Sequence, residues 1–172
     1  MPFNPETIDL ATQLGIAAMA KQKFVATAES CTGGLVAASC TETPDSSNWF
    51  DSGFVTYTVA AKNRVLGISE ALILKHGAVS EPIAREMALG ALKKGNADIA
   101  VSITGIAGPK GGDITSPLGT VWFGWAVRDK STDTSVIVQT SMFHLTGDRN
   151  EIRMAACNLA LSGLISVLDS QQ

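Results

Sequence analysis

Apolar positions in this chain recur first at helical spacing and then, from residue 24, in short unbroken runs between turn residues. Asn4-Pro5 reads as an N-cap and first helical residue. Ile8, Ala11, Leu14, Ile16 and Ala18 carry that helix to about Lys21. Phe24 to Ala28 reads as a strand, and Leu35-Val36-Ala37-Ala38 opens a helix to about Thr41. Thr43 to Asn48 has loop composition, and Gly53 to Thr58 is β-branched and aromatic, hence a second strand. Short helices follow over Ala60–Leu66 and Glu70–His76, each stopped by glycine, then a longer one that Ser80-Glu81-Pro82 starts and that runs through Lys94. Asp98–Thr104 is the third strand and Gly105–Gly119 a glycine-rich loop. Thr120–Val127 and Ser135–Phe143 read as an antiparallel pair turning at Arg128 to Ser131. Arg149–Leu168 closes the chain as a helix with a stripe of apolar and small residues.

Helices and strands intersperse until two neighbouring strands end the set. That order predicts an α/β fold over residues 1–172: a single three-layer domain with a mixed β-sheet flanked by helices. No internal repeat or low-complexity tract interrupts it.

Composition narrows the function classes. The chain has 172 residues, 45% hydrophobic and 17% charged, with net charge −3. Its pI is near 5.3 and no Lys/Arg run occurs, which argues against nucleic-acid binding. Mean hydropathy is +0.20, so part of the surface is expected to be covered by another copy, giving a homo-oligomer, dimer or higher. The small-residue stripe of the last helix points the same way. Cys31, Cys40 and Cys157 make an odd count without C-x-x-C spacing, which fits a reducing cytoplasm better than a disulfide framework. No apolar stretch approaches the ~20 residues of a membrane span, and the N-terminus lacks signal-peptide character. A soluble cytoplasmic protein without membrane partner is the expectation.

The candidate chemistry centres on Ala28-Glu29-Ser30-Cys31-Thr32-Gly33-Gly34, a strand–turn–helix context. Ser30 there is either an N-cap of the following helix or a nucleophile beside amides that attract negative charge. Cys31 is a rival nucleophile, since thiols activate at helix N-termini. His76 and His144 sit where structural roles suffice, so a Ser-His-Asp triad is not the leading arrangement. No metal-ligand spacing appears, and neither metal nor cofactor is called for.

Tyr57 and Lys62 could move a proton in place of histidine, although each alone also reads as an ordinary surface residue. A lysine base must fall from about 10.4 to roughly 7–8, which costs on the order of 4 kcal/mol. Strand alternation would put Glu29 on the face opposite Ser30, where it does not oppose that shift. In Thr104-Gly105-Ile106-Ala107-Gly108-Pro109-Lys110-Gly111-Gly112, close glycines either shape a turn or let amides converge on an anion. It is not a Walker A loop, so phosphoryl transfer lacks support. Arg149 either binds a ligand phosphate or carboxylate or pairs with Asp148, which is otherwise its N-cap.

These segments, with Gly53 to Lys62, Gly77 to Glu81, Pro117 to Thr120 and Phe143 to Arg149, resemble the CinA C-terminal domain family over nearly the whole chain. The separate N-terminal domain of longer relatives is expected to be absent. The resemblance implies deamidation of nicotinamide mononucleotide to nicotinate mononucleotide and ammonia, within pyridine-nucleotide recycling. It places the nucleophile on Ser30 and the family's tyrosine and lysine on Tyr57 and Lys62. Cys31, Thr32, Gly33, Thr104, Gly105, Gly108 and Arg149 are then expected to contact substrate. Two positions depart from the usual pattern: Val59 within Tyr57–Lys62, and Ser116 where a basic residue is common. The rival reading is a non-catalytic module that binds a nucleotide or a protein partner, tied to competence or DNA-damage response.

Overall fold

The computed structural model describes residues 3–128 and 136–170. Eleven main elements follow the predicted order: α1 (Pro5–Ala20), β1 (Val25–Glu29), α2 (Leu35–Thr41), β2 (Phe50–Val55), α3 (Val59–Leu66), α4 (Glu70–His76), α5 (Glu81–Lys94), β3 (Ile99–Gly105), β4 (Thr120–Arg128), β5 (Val136–His144) and α6 (Arg149–Asp169). The strands form one mixed sheet in the order β2-β1-β3-β4-β5. β1 runs parallel to β2 and β3, whereas β4 is antiparallel to both β3 and β5. The turn predicted between the last two strands lies outside the described residues beyond Arg128.

Period-two alternation divides the strand residues between two cores. Val25, Ile99, Val101, Ile103, Val121, Phe123 and Val127 meet α1, α2 and α6 on one face. Ala26, Ala28, Ala100 and Ala126 meet α3, α4 and α5 on the other. The sheet is therefore sandwiched between two helical layers, with large side chains on one face and small ones on the other. Small residues let α5 come close: Ser102 Oγ donates to the Ala84 carbonyl at 2.6 Å.

α6 is long and apolar enough to cross a membrane by length and composition alone. Here it is a core helix instead. Ile152, Ala156, Ala160, Leu161 and Leu164 are buried in the large-residue core. A Cβ at Gly163 would stand 2.3 Å from the Trp125 ring, so only glycine fits that approach. The small-residue stripe thus packs within the chain, and it no longer argues for assembly between copies.

Two boundaries differ from the sequence expectation in ways that matter. β2 runs from Phe50 to Val55 and ends three residues before the predicted Thr58. Thr58 leaves the sheet because its hydroxyl caps α3, accepting from Ala61 N at 3.1 Å. Tyr57 therefore lies in the connection and not on the strand.

Ser30 is not the cap of α2. The N-cap position is Gly34, which makes no side-chain cap bond. The helix opens instead onto the carboxylate of Glu29, which is 0% exposed. That carboxylate accepts from Gly34 N at 2.9 Å, Val36 N at 3.2 Å and Ala37 N at 2.8 Å. Thr27 Oγ1 adds a longer bond at 3.3 Å. The amides expected to draw a ligand anion are thus already occupied by a residue of the chain. Glu29→Ala should leave three amides without an acceptor and cost about 3 kcal/mol, with Glu29→Gln losing less. Urea denaturation of the two variants measures this, and a loss below about 1 kcal/mol for the alanine variant would contradict the capping role.

Candidate active site

Glu29 and Ser30 alternate across the end of β1, so the carboxylate goes to α2 and the hydroxyl to the face of α3. Ser30 N donates to Ile103 O at 2.9 Å, which extends the parallel pairing one residue past the strand. Thr56 N bonds Glu29 O at 2.8 Å on the other side. The serine is thereby fixed between its two neighbours at the carboxyl end of the parallel strands, where open α/β sheets place ligands.

Lys62, on the first turn of α3, reaches back beneath this edge and is 1% exposed. Its Nζ lies 2.9 Å from Ser30 Oγ and 2.8 Å from the Thr56 carbonyl. Burial pulls its pKa down from 10.5 to about 8, while the nearby Cys31 side chain acts weakly in the opposite sense. At pH 7.5 roughly a quarter of such amines are neutral. A neutral amine can donate one N–H to Thr56 O and offer its lone pair to the Ser30 hydroxyl. The Thr56 carbonyl is then the group that orients the amine.

The other expected site residues divide. Tyr57 is 56% exposed, and its hydroxyl accepts from Arg149 Nη2 at 3.0 Å. No hydrogen bond joins it to Ser30 or Lys62 among the described residues. Arg149 Nη1 also donates to the Gly108 carbonyl, so one guanidinium bridges the β2–α3 connection and the glycine-rich loop. Asp148 is not its partner: the carboxylate accepts from Asn150 N and Glu151 N in a capping box. Thr104 lies beside Ser30 in the sheet, but its hydroxyl donates to Ala78 O at 2.7 Å. Gly105 pairs with Val121 inside the β3–β4 ladder. Val59 is half-exposed at the start of α3. Ser116 lies in a turn whose amides bond Asp113, out on the loop.

Cys31, Thr32 and Gly33 form the turn after the serine, closed by Gly33 N on Ser30 O at 3.1 Å. Gly33 and Gly34 both have positive φ, +61° and +98°, a region that favours glycine. Burial pushes the Cys31 thiol up to about 11, and Glu29 adds to the rise. A thiol so placed is a poor nucleophile near neutrality. His76 and His144 are both exposed, at the ends of α4 and β5. A recess of about 470 Å³ between α1 and α6, lined by Asn4, Met154 and Asn158 among others, holds none of these residues.

Sequence reasoning missed three contributors. Glu29 was read only as a charge to be kept away. The Thr56 carbonyl carries no side-chain signature. Arg153, one turn after Arg149, donates to the Cys31 and Thr32 carbonyls; its helical spacing from Arg149 was the available signal.

Fold and site define a three-layer α/β protein with a buried serine–lysine contact at the carboxyl end of its parallel strands. A family model described as the CinA C-terminal domain matches residues 7–168, and the chain belongs to that family. It is 48% identical to a protein of Enterobacter agglomerans named nicotinamide-nucleotide amidohydrolase PncC, over 89% of this chain and 90% of that one. The protein of the same name from Escherichia coli is 47% identical over 94% of each chain. Among solved structures, the competence/damage inducible protein CihA of Agrobacterium tumefaciens superposes with a TM-score of 0.88 at 39% identity, over 98% of each chain.

The depressed lysine pKa gives a stability test. The unfolded chain holds this proton more tightly than the folded one, so stability should rise with pH between about 8 and 10.5. The full rise is roughly 3 kcal/mol and is lost again as pH falls through 8. Lys62→Met should lack it. Urea midpoints of both proteins at pH 7.5 and 10 measure the difference, and parallel pH dependences would rule out the shift.

Proposed function

We propose that this chain hydrolyses the carboxamide of nicotinamide mononucleotide, giving nicotinate mononucleotide and ammonia, with Ser30 as nucleophile and Lys62 as acid–base. The observation that carries this is the contact of a buried, pKa-lowered Lys62 amine with Ser30 Oγ at 2.9 Å. The names of the two amidohydrolase relatives support the substrate.

In this reading neutral Lys62 takes the Ser30 proton as Oγ attacks the carboxamide carbon. The carbonyl oxygen becomes negative, and the amides of Cys31 and Thr32 stabilise it. Protonated Lys62 then gives its proton to the departing nitrogen, which leaves as ammonia. The resulting nicotinoyl–Ser30 ester is attacked by water, whose proton passes to Lys62. Collapse of the second tetrahedral intermediate releases the nicotinate nucleotide and returns the proton to Ser30.

Tyr57 and Arg149 serve binding at the mouth rather than proton transfer. The exposed phenol ring offers a face to the cationic pyridinium. Arg149 donates to a phenol and a carbonyl, both neutral. Among the described residues its charge has no carboxylate partner, and a phosphate dianion would displace those acceptors.

Ser30→Ala should abolish ammonia release from nicotinamide mononucleotide. Cys31→Ala, which keeps the backbone amide, should retain most of it; the reverse result would discard the serine assignment. Arg149→Met should raise KM for the mononucleotide at least tenfold while leaving slow turnover of nicotinamide riboside unchanged. Equal effects on both substrates would remove Arg149 from phosphate binding. Tight binding of the mononucleotide without ammonia release by the unaltered chain would favour the non-catalytic module.

A further inference from the structure

Arg153 is half-buried on α6, and among the described residues it pairs with no carboxylate. Its Nε donates to the Cys31 carbonyl at 3.1 Å and its Nη2 to the Thr32 carbonyl at 2.9 Å. A rigid fork with a full positive charge is thus committed to two successive carbonyls of the turn that carries Ser30.

The geometry of the peptide gives this arrangement a consequence. In a trans peptide the N–H points opposite to the C=O. Cys31 O and Thr32 N belong to one peptide, so drawing that oxygen toward α6 turns the Thr32 N–H away from α6. Thr32 O and Gly33 N belong to the next, and the Gly33 N–H is already bonded to Ser30 O. The Thr32 N–H has no backbone or carboxylate acceptor among the described residues. The Thr32 hydroxyl, wholly buried, also has no partner. The fold therefore holds the turn after Ser30 from the α6 side, with the Cys31 and Thr32 amides meeting only the Cys31 thiol and the Thr32 hydroxyl without a partner.

We propose that Arg153 is a positioning residue: by gripping the Cys31 and Thr32 carbonyls it keeps the amides behind Ser30 aimed at the carboxamide oxygen as that oxygen becomes negative. The proposal rests on the Ser30 amidase reading. An amide of the residue following a nucleophile is a common oxyanion donor in strand–turn–helix settings. Here the Cys31 and Thr32 amides already lower the pKa of the adjacent Cys31 thiol against the opposing effect of burial, so their dipoles favour an anion at that spot.

The test uses the full chain with Arg153→Met and Arg153→Lys. Ammonia release from nicotinamide mononucleotide gives kcat and KM, thermal melting reports folding, and pyridine-3-boronic acid is the probe of the tetrahedral anion. Boron would accept Ser30 Oγ while the serine proton moves to Lys62. Arg153→Met should lower kcat on the order of 100-fold with KM within about twofold. Boronate affinity should fall by a similar factor. Arg153→Lys should melt like the wild type yet recover less than about a tenth of the lost rate, because an ammonium cannot fork to both carbonyls. Full rescue by lysine, a raised KM at unchanged kcat, or unaltered boronate affinity would each overturn the proposal. Ser30→Ala separates the two failures. If that variant is inactive while the Arg153 variants turn over normally, only this inference falls; if it remains active, the amidase reading falls and takes this one with it.

Discussion

A primary amine that is 1% exposed cannot keep its proton at the usual lysine pKa, and in this chain two uncharged oxygens hold it. One is the Thr56 carbonyl, the other the Ser30 hydroxyl. Neither can offset the buried charge as a carboxylate would, so desolvation dominates and the pKa falls. The local structure converges on that pair. β2 must end at Val55 so that the Thr56 carbonyl turns toward Lys62. Thr58 must cap α3 so that Lys62 starts its first turn pointing back under the sheet. The same low polarity that shifts the lysine would strengthen the attraction between an oxyanion and any amide aimed at it.

The buried negative charge closest in sequence is kept from undoing this by strand alternation. Glu29 precedes Ser30, yet its carboxylate lies on the opposite face and is held by the first amides of α2. On the lysine side it would have favoured the protonated amine and raised the pKa. On the α2 side it anchors the turn that follows Ser30. One residue thereby supports the site mechanically without contributing its charge to it. The Cys31 thiol does feel Glu29, which helps explain why the adjacent sulphur is pushed to about 11.

Much of this was legible beforehand because it rests on local pattern. The element order, the two-faced sheet and the last helix follow from apolar periodicity, whereas Ser30 and Lys62 each kept an ordinary structural reading in context and were singled out together by the family resemblance. Three things were not legible. The end of β2 was placed too late, since Thr56-Tyr57-Thr58 has good strand propensity and the capping bond of Thr58 outweighs it. The cap of α2 was assigned to Ser30 or to a ligand, because a side chain reaching from the preceding strand leaves no N-cap signature at the helix itself. Arg153 was passed over because its acceptors are carbonyls more than 120 residues away, and backbone atoms carry no mark in a sequence.

The two arginines of α6 show how core packing reaches the site. They are one turn apart on the same helix, so one register decides where both guanidiniums fall. Arg149 ends up bonded to Tyr57 and Gly108, bridging the β2–α3 connection and the glycine-rich loop. Arg153 ends up behind Ser30, its donors committed to the turn. That register is set far from either residue, where Gly163 lies against the Trp125 ring and Trp125 stacks on Phe123 at 5.5 Å. Sliding α6 by one residue would bring a Cβ into the indole and rotate both arginines by about 100°. The close glycine–tryptophan contact is therefore more than filling of the core: it fixes which guanidinium meets Tyr57 and Gly108 and which one meets the turn after Ser30.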